Sequence, residues 1–351
     1  MFTATRTGRT GSAIPDAPAV LEVGMDRLVE RHGLPLVVLD IGRAARQYRA
    51  VRSAFPSVDV HYDVSALSHP ALISAMAADG GSFAISHDGA LETLTNVADL
   101  SRVLHATPVV HPHEVLAAYN AGVRRFIVDG PADVEKFVGY PNDLCLLVRL
   151  RPDDPRRGHA MPRGIRAADA ARVVRFAASL GVRIAGFSLS LPPTASPQYY
   201  VSRLASTAGL MADVEATTGL RLDAIDLGDA FPGSAAERTT DRAELHRAIR
   251  AILAPASARM SVTASASRAV TAGCITVVAG TVEHDVDPLV ASECIDDGAG
   301  VAVIGAAESD IGGGSPDTNP ALAPFFRAIV HTGHRMLRTG RREPQTWSSA
   351  G

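Results

Sequence analysis

LPLVVLDIGRAARQYRAVRSAFPSVDVHYDVSALSHP, residues 34–70, reads as strand, helix and second strand in succession. LPLVVLD (34–40) is a short apolar run, 42–54 has helical periodicity, and VDVHYDVS (58–65) alternates polar with apolar residues. A strand joined to the next by a crossover helix is the signature of parallel pairing, since antiparallel neighbours need only a tight turn. A period of two along 58–65 aims His61, Asp63 and Ser65 to one side of their sheet.

The same alternation runs on through GSFAIS (81–86), RVLHA (102–106), RRFIVD (124–129), LCLLVRL (144–150), VRIAGFSLS (182–190), LDAIDLG (222–228) and ARMSVTA (258–264), with helical stretches between. Eight strand-like runs with crossover helices predict an α/β fold of the (β/α)8 TIM-like barrel kind, with its site on the face where strands end. Beyond them CITVVAGTV (274–282) and GVAVIGAA (300–307) read as strands of a small, shortened β-rich second domain that pairs with 34–40. A final helix is expected around 320–338. The expected organisation is a loose tail over 1–17, a small domain from 18–40 and 265–340, the barrel over 41–264, and a second tail over 341–351.

Composition narrows the function class. The chain of 351 residues is 46% hydrophobic and 20% charged, as expected for a globular protein with a sizeable core. A net charge of −3 and the absence of a basic stripe argue against nucleic acid. No apolar run reaches the roughly 18 residues of a membrane span, and residues 1–17 lack the apolar centre of a signal peptide. Three scattered cysteines, Cys145, Cys274 and Cys294, fit a reducing cytoplasm better than a disulfide framework. One lysine, Lys136, stands among 34 basic residues, so chemistry that needs a protein amine has only it and the chain terminus.

Order and wording together resemble the fold-type III pyridoxal-phosphate decarboxylases, the ornithine/diaminopimelate/arginine decarboxylase family, over roughly residues 20–275. HGLPLVVLDIGRAARQYRAVRSAFP (32–56) is similar to that family's N-terminal signature. HYDVSALSHP (61–70) sits where the family has Y-A-V-K-A-N-x-x-P, SFAISHDGALETL where it has F-D-x-A-S-x-x-E, and LDAIDLGDAFPG (222–233) where it has L-D-x-G-G-G-F-P-G. The resemblance implies an alanine racemase/ornithine decarboxylase-like barrel and a homodimer. It also implies that several cofactor contacts are changed. Ser65 stands for the lysine that forms the Schiff base, which a hydroxyl cannot do. Asp229 and Ala230 replace two phosphate-loop glycines, and a carboxylate repels a phosphate by roughly 4 kcal/mol per charge pair at an effective dielectric near 20. Ser190 takes the place of the ring-stacking histidine in FSLSLPP, and Ser265 that of the acidic partner of the pyridine nitrogen in SASR (265–268). Ala84 and Ala90 replace two further acidic residues. The expectation from these changes is a chain without cofactor, and without metal, whose pyridoxal phosphate site is lost.

The replacements still supply chemistry. His61, Asp63, Ser65, His87, Asp88 and Asp229 form a candidate catalytic set of nucleophile, base and acid types at the barrel mouth, with Arg149, Ser190 and Arg268 as candidate ligand-binding residues. The alternative is a polar barrel interior whose charges pair with Arg149. HPHE (111–114) reads as a solvated helix entry rather than a metal site, because ligands two apart do not share a helix face. The leading expectation is a decarboxylase-like barrel that has lost covalent pyridoxal phosphate. It would act as a non-catalytic or repurposed member of a specialised bacterial pathway, binding a small polar ligand or a partner protein. The alternative is a lyase, isomerase or cyclase working by acid–base chemistry alone.

Overall fold

The computed structural model describes residues 27–28, 31, 36–86, 88–108, 111–152, 163–190, 197–229, 240–254, 260–280, 295–296, 301–306 and 335–339. Its elements begin with β1 (Leu36–Asp40), α1 (Ile41–Ala54), β2 (Asp59–Asp63), α2 (Pro70–Ala78), β3 (Ser82–Ile85), α3 (Asp88–Leu94), β4 (Leu104–His105), α4 (Pro112–Ala121), β5 (Arg125–Val128) and α5 (Pro131–Val134). They continue with β6 (Cys145–Leu150), α6 (Ala170–Ser179), β7 (Ile184–Leu189), α7 (Pro197–Thr218), β8 (Ala224–Asp229), α8 (Thr240–Leu253), β9 (Ser261–Ser265) and α9 (Ser267–Thr271). Strands β10 (Ile275–Gly280), β11 (Ile295–Asp296), β12 (Val301–Ala306) and β13 (Arg335–Thr339) follow. Contacts divide the chain into two units, one of residues 45–270 and the other of residues up to 44 with those from 271 on.

In the larger unit, β2 to β9 form a closed parallel barrel in sequence order. The seam is made by the first and last strands, with Asp59 opposite Thr263 and His61 opposite Ser265. Alternate strand positions fill the interior with a buried apolar layer of Ala84, Leu104, Ile127, Leu147, Ala185 and Ala224. The opposite positions meet the helices, where Tyr48 of α1 is wholly buried and its hydroxyl donates to the Val60 carbonyl at 2.8 Å. Gly186 lets β7 and β8 close, because a Cβ there would lie 1.7 Å from the Ala224 carbonyl oxygen.

Below the apolar layer, at the strand starts, one carboxylate gathers a polar base. Asp59 accepts from Ser82 Oγ at 2.6 Å and from the Arg125 guanidinium at 2.6 Å, with Arg102 at 3.7 Å. Burial alone would raise the Asp59 pKa, but His61, Ser82 and Arg125 together hold it below the usual value.

In the smaller unit the strand order is β11-β12-β1-β10-β13. β1 runs antiparallel to β10 and β12, so Leu36–Asp40 pairs with the two late strands. The expected final helix is corrected in part, since Arg335–Thr339 is a strand lying parallel to β10, and pairing with that strand's free edge overrides helical propensity. Residues 320–334 lie outside the described set.

Candidate ligand site at the barrel mouth

At the strand ends, paired positions of neighbouring parallel strands face the same side: Arg149 opposite Ser188, Ser188 opposite Asp226, Asp226 opposite Thr263. Four carboxylates collect there, each tied to a different group. Asp63 accepts from the Ser65 amide at 2.9 Å and from Ser86 Oγ at 3.4 Å, while its own amide donates to Ser267 Oγ at 2.8 Å. Asp129 lies 3.2 Å from Arg149 Nε, and the same guanidinium donates to the Ala106 carbonyl. Burial pushes the Asp129 carboxyl up, against the downward pull of Arg149.

Asp229 accepts from Arg268 Nε at 2.6 Å, and its carbonyl takes a second bond from that guanidinium at 2.9 Å. Both donors of that fork are thus turned onto one residue. Asp226 is 3% exposed, accepts from Ser188 Oγ at 2.6 Å and from Thr263 Oγ1 at 3.1 Å, and has its carboxyl raised by burial. Above it Gly228 turns the chain at φ +64°, where a Cβ would meet the Leu189 carbonyl oxygen at 2.6 Å.

Within the expected catalytic set, Asp63 and Ser65 are in contact through the Ser65 amide, while His61 is turned away from them. His61 points into the barrel but bonds downward, to the Asp59 carbonyl at 3.0 Å and the Arg102 carbonyl at 3.2 Å. Ser65 is not on the strand, because β2 ends at Asp63 and a single 3-10 turn over Val64–Ala66 follows, capped by the Asp63 carboxylate. His87 lies outside the described residues, and so does the side chain of Asp88, which opens α3. Ser190 follows the last residue of β7 and is half-buried, its amide donating to the Leu150 carbonyl at 3.2 Å. The family segment that FSLSLPP resembles reads F-H-V-G-S, and with Phe187 on its phenylalanine the resemblance puts Ser188 rather than Ser190 in the histidine's place.

Lys136 lies in a 3-10 turn (Glu135–Phe137) directly after α5, where its side chain is 20% exposed and donates to Asp133 at 2.8 Å. The other Asp133 oxygen accepts from the Asp129 amide at the end of β5, so this carboxylate links the lysine to the strand end. Sequence reasoning missed Asp129, although its place at the end of RRFIVD marks a mouth residue by the same rule that marks Arg149. At HPHE the rings of His111 and His113 stack at 5.3 Å, and the Glu114 carboxylate accepts from the His111 amide at 3.2 Å, as at a helix start. Among the described residues no group of three or more His, Cys, Asp or Glu is arranged to hold a metal ion.

Residues 41–272 match the sequence profile of the family described as pyridoxal-dependent decarboxylase, pyridoxal binding domain. The chain belongs to this family. A lysine/ornithine decarboxylase of Selenomonas ruminantium is 25% identical over 212 residues, 58% of this chain and 53% of that protein. Antizyme inhibitor 2 of Xenopus laevis is 21% identical over 200 residues, 56% of this chain and 44% of that one. The chain spans about half the length of the curated relatives it matches. Among solved structures, the lysine/ornithine decarboxylase of Vibrio vulnificus complexed with putrescine superposes with a TM-score of 0.64 at 24% identity over 75% of both chains. SrLDC in complex with PLP and cadaverine gives 0.62 at 22% identity, over 73% of this chain and 71% of that one.

These findings correct the expectation of a chain without cofactor. The matched region is the pyridoxal binding domain of its family, and a fold neighbour holds PLP, so pyridoxal phosphate is the cofactor to which the family points. The residues fit that group unevenly. Gly228 is required by its φ and by the close Leu189 carbonyl rather than by a ligand, and Arg268 offers a guanidinium for an anion. Ser65 offers no amine where the first barrel strand ends, and a phosphate reaching Arg268 has to compete with Asp229.

Proposed function

We propose that this decarboxylase-family barrel holds its ligand in the mouth without a covalent link to a lysine, pyridoxal phosphate being one such ligand. In this reading it serves as a non-catalytic or repurposed member of a specialised metabolic pathway, acting as a homodimer in the cytoplasm and taking a small polar ligand. The carrying observation is Ser65 at the end of β2, combined with a lone lysine whose ammonium is engaged by Asp133. A relative named antizyme inhibitor rather than decarboxylase supports the non-catalytic side of this reading.

When bound, pyridoxal phosphate supplies an electron sink. The chain's own residues would orient it: Arg268 toward an anion, Ser188 and Asp226 through hydrogen bonds. A second reading, acid–base chemistry by the mouth carboxylates, is favoured by Asp129, whose raised carboxyl sits beside Arg149 as a general acid would.

The test is a titration of the full chain with pyridoxal phosphate, followed by borohydride reduction and peptide mapping, with light scattering for the dimer. Reversible binding that dialysis removes and borohydride does not fix is the expected result. A reduced adduct on Lys136, or release of carbon dioxide from lysine, ornithine or arginine, would overturn the proposal. A monomer would remove the dimer from it.

A further inference from the structure

Strand β8 breaks its regular pairing with β9 near its end. Asp226 lies opposite Thr263, but the next pair is Asp229 with Ser265, so β8 carries one residue more than β9 between the two contacts. An extra residue of this kind bends its strand and re-aims the side chain beyond it. Gly228 absorbs the bend at φ +64°. In unbroken register Gly228 would face Ser265; the shift sets a carboxylate there instead. Three residues past Ser265, Arg268 turns back and binds Asp229 twice, through the carboxylate at 2.6 Å and through the carbonyl at 2.9 Å. The side chains of Arg268 and Asp229 are 26% and 35% exposed, so the pair stands within reach of solutes rather than in the core.

The guanidinium thus holds an anion, and the chain itself supplies that anion. We propose that Asp229 is a specificity-determining residue, an internal competitor for Arg268 that keeps a phosphate group from adding much to a ligand's affinity for the mouth. This rests on the reading of the mouth as a ligand site and adds how that site ranks phosphorylated against unphosphorylated ligands. A phosphate monoester reaching Arg268 has first to displace a charge-assisted hydrogen bond, and then lies beside the displaced carboxylate. A ligand that ends in a neutral hydroxyl makes neither demand. The backbone bond bears on the same choice. The Asp229 carbonyl accepts from Arg268 Nη2 whatever side chain the residue carries, so removing the carboxylate frees Nε without casting the guanidinium loose.

Pyridoxine and pyridoxine 5′-phosphate differ only in the phosphate and carry no aldehyde to react with an amine. Calorimetric titration of the full chain with each gives the ratio of their affinities. In the parent the two are expected to bind within about tenfold of each other. Asp229→Ala should raise the affinity for pyridoxine phosphate by about ten- to hundredfold and leave that for pyridoxine within about twofold. Asp229→Asn, which keeps the shape and loses the charge, should fall between parent and alanine variant. The ratio is the readout, because a merely loosened mouth changes both affinities together. Arg268→Gln in the Asp229→Ala background should return the ratio to the parent's value. A phosphate preference in the parent already above about tenfold, or a ratio that neither substitution at Asp229 moves, would overturn the proposal and leave pyridoxine binding, with the mouth as a ligand site, standing. Binding of neither compound to any of these proteins would overturn both readings.

Discussion

His61 has no exposure, and each ring nitrogen faces a backbone carbonyl oxygen. A neutral imidazole carries one N–H and satisfies only one of them, while burial opposes the second proton and holds the pKa below the ordinary 6.5. The unfolded chain therefore binds this proton first, and stability falls as pH drops below 6.5, by up to about 1.4 kcal/mol per pH unit until the folded value is reached. His61→Gln keeps an amide donor and removes the titration. Denaturant unfolding at pH 7 and pH 5.5 should show a smaller acid loss in that variant than in the parent. The raised carboxyl of Asp129 acts with the opposite sign and is common to both proteins, whereas Asp59 and Asp226 also respond to His61. Ser65→Lys makes a second residue-scale case. It restores an amine but leaves Asp229 on Arg268 and serines at 188 and 265, so no carbon dioxide release from ornithine, lysine or arginine is expected above the parent. The inward aim of His61 was legible from strand period. Its downward partners were not, because a carbonyl 41 residues on leaves no mark in side-chain pattern.

Strands β2 to β9 were legible as elements because each is a short apolar run bounded by helical periodicity. Their ends were less so: alternation carried VDVHYDVS to Ser65, whereas the Asp63 cap turns the chain two residues earlier. β13 was missed because an edge strand is fixed by the partner it meets rather than by its own sequence. Two glycines test what the elements demand. Gly186→Ala would drive a methyl into the Ala224 carbonyl and force β7 from β8, so it should cost at least the roughly 1–3 kcal/mol of an overpacked core. Gly209, exposed within α7, has open space within 4 Å of where an added methyl would stand, and Gly209→Ala should add about 0.5–1 kcal/mol. Urea unfolding of both variants reads the contrast in sign.

For the whole molecule, the eight-fold alternation made the barrel readable, and the changed cofactor positions were legible too, while the pairing of Asp229 with Arg268 emerged only from the side chains. The polar base matters at this scale, since Asp59 joins β2 to β3, to β5 and to the turn before β4. Arg125→Met leaves that carboxylate short of its closest cation. It should lower stability by roughly 1–3 kcal/mol, between the surface and fully buried ranges, as read by the denaturation midpoint. The seam has a consequence in time. Asp63 and Ser267, bonded across it, are 204 residues apart in sequence. At about 5–20 residues per second, a ribosome takes on the order of ten to forty seconds to travel from one to the other. Through that interval β2 has no partner on its β9 side, and in the smaller unit β1 likewise waits for β10. Unpaired strand edges invite association with other chains, so the slow synthesis of the middle of this protein is the period when a nascent copy most needs shielding.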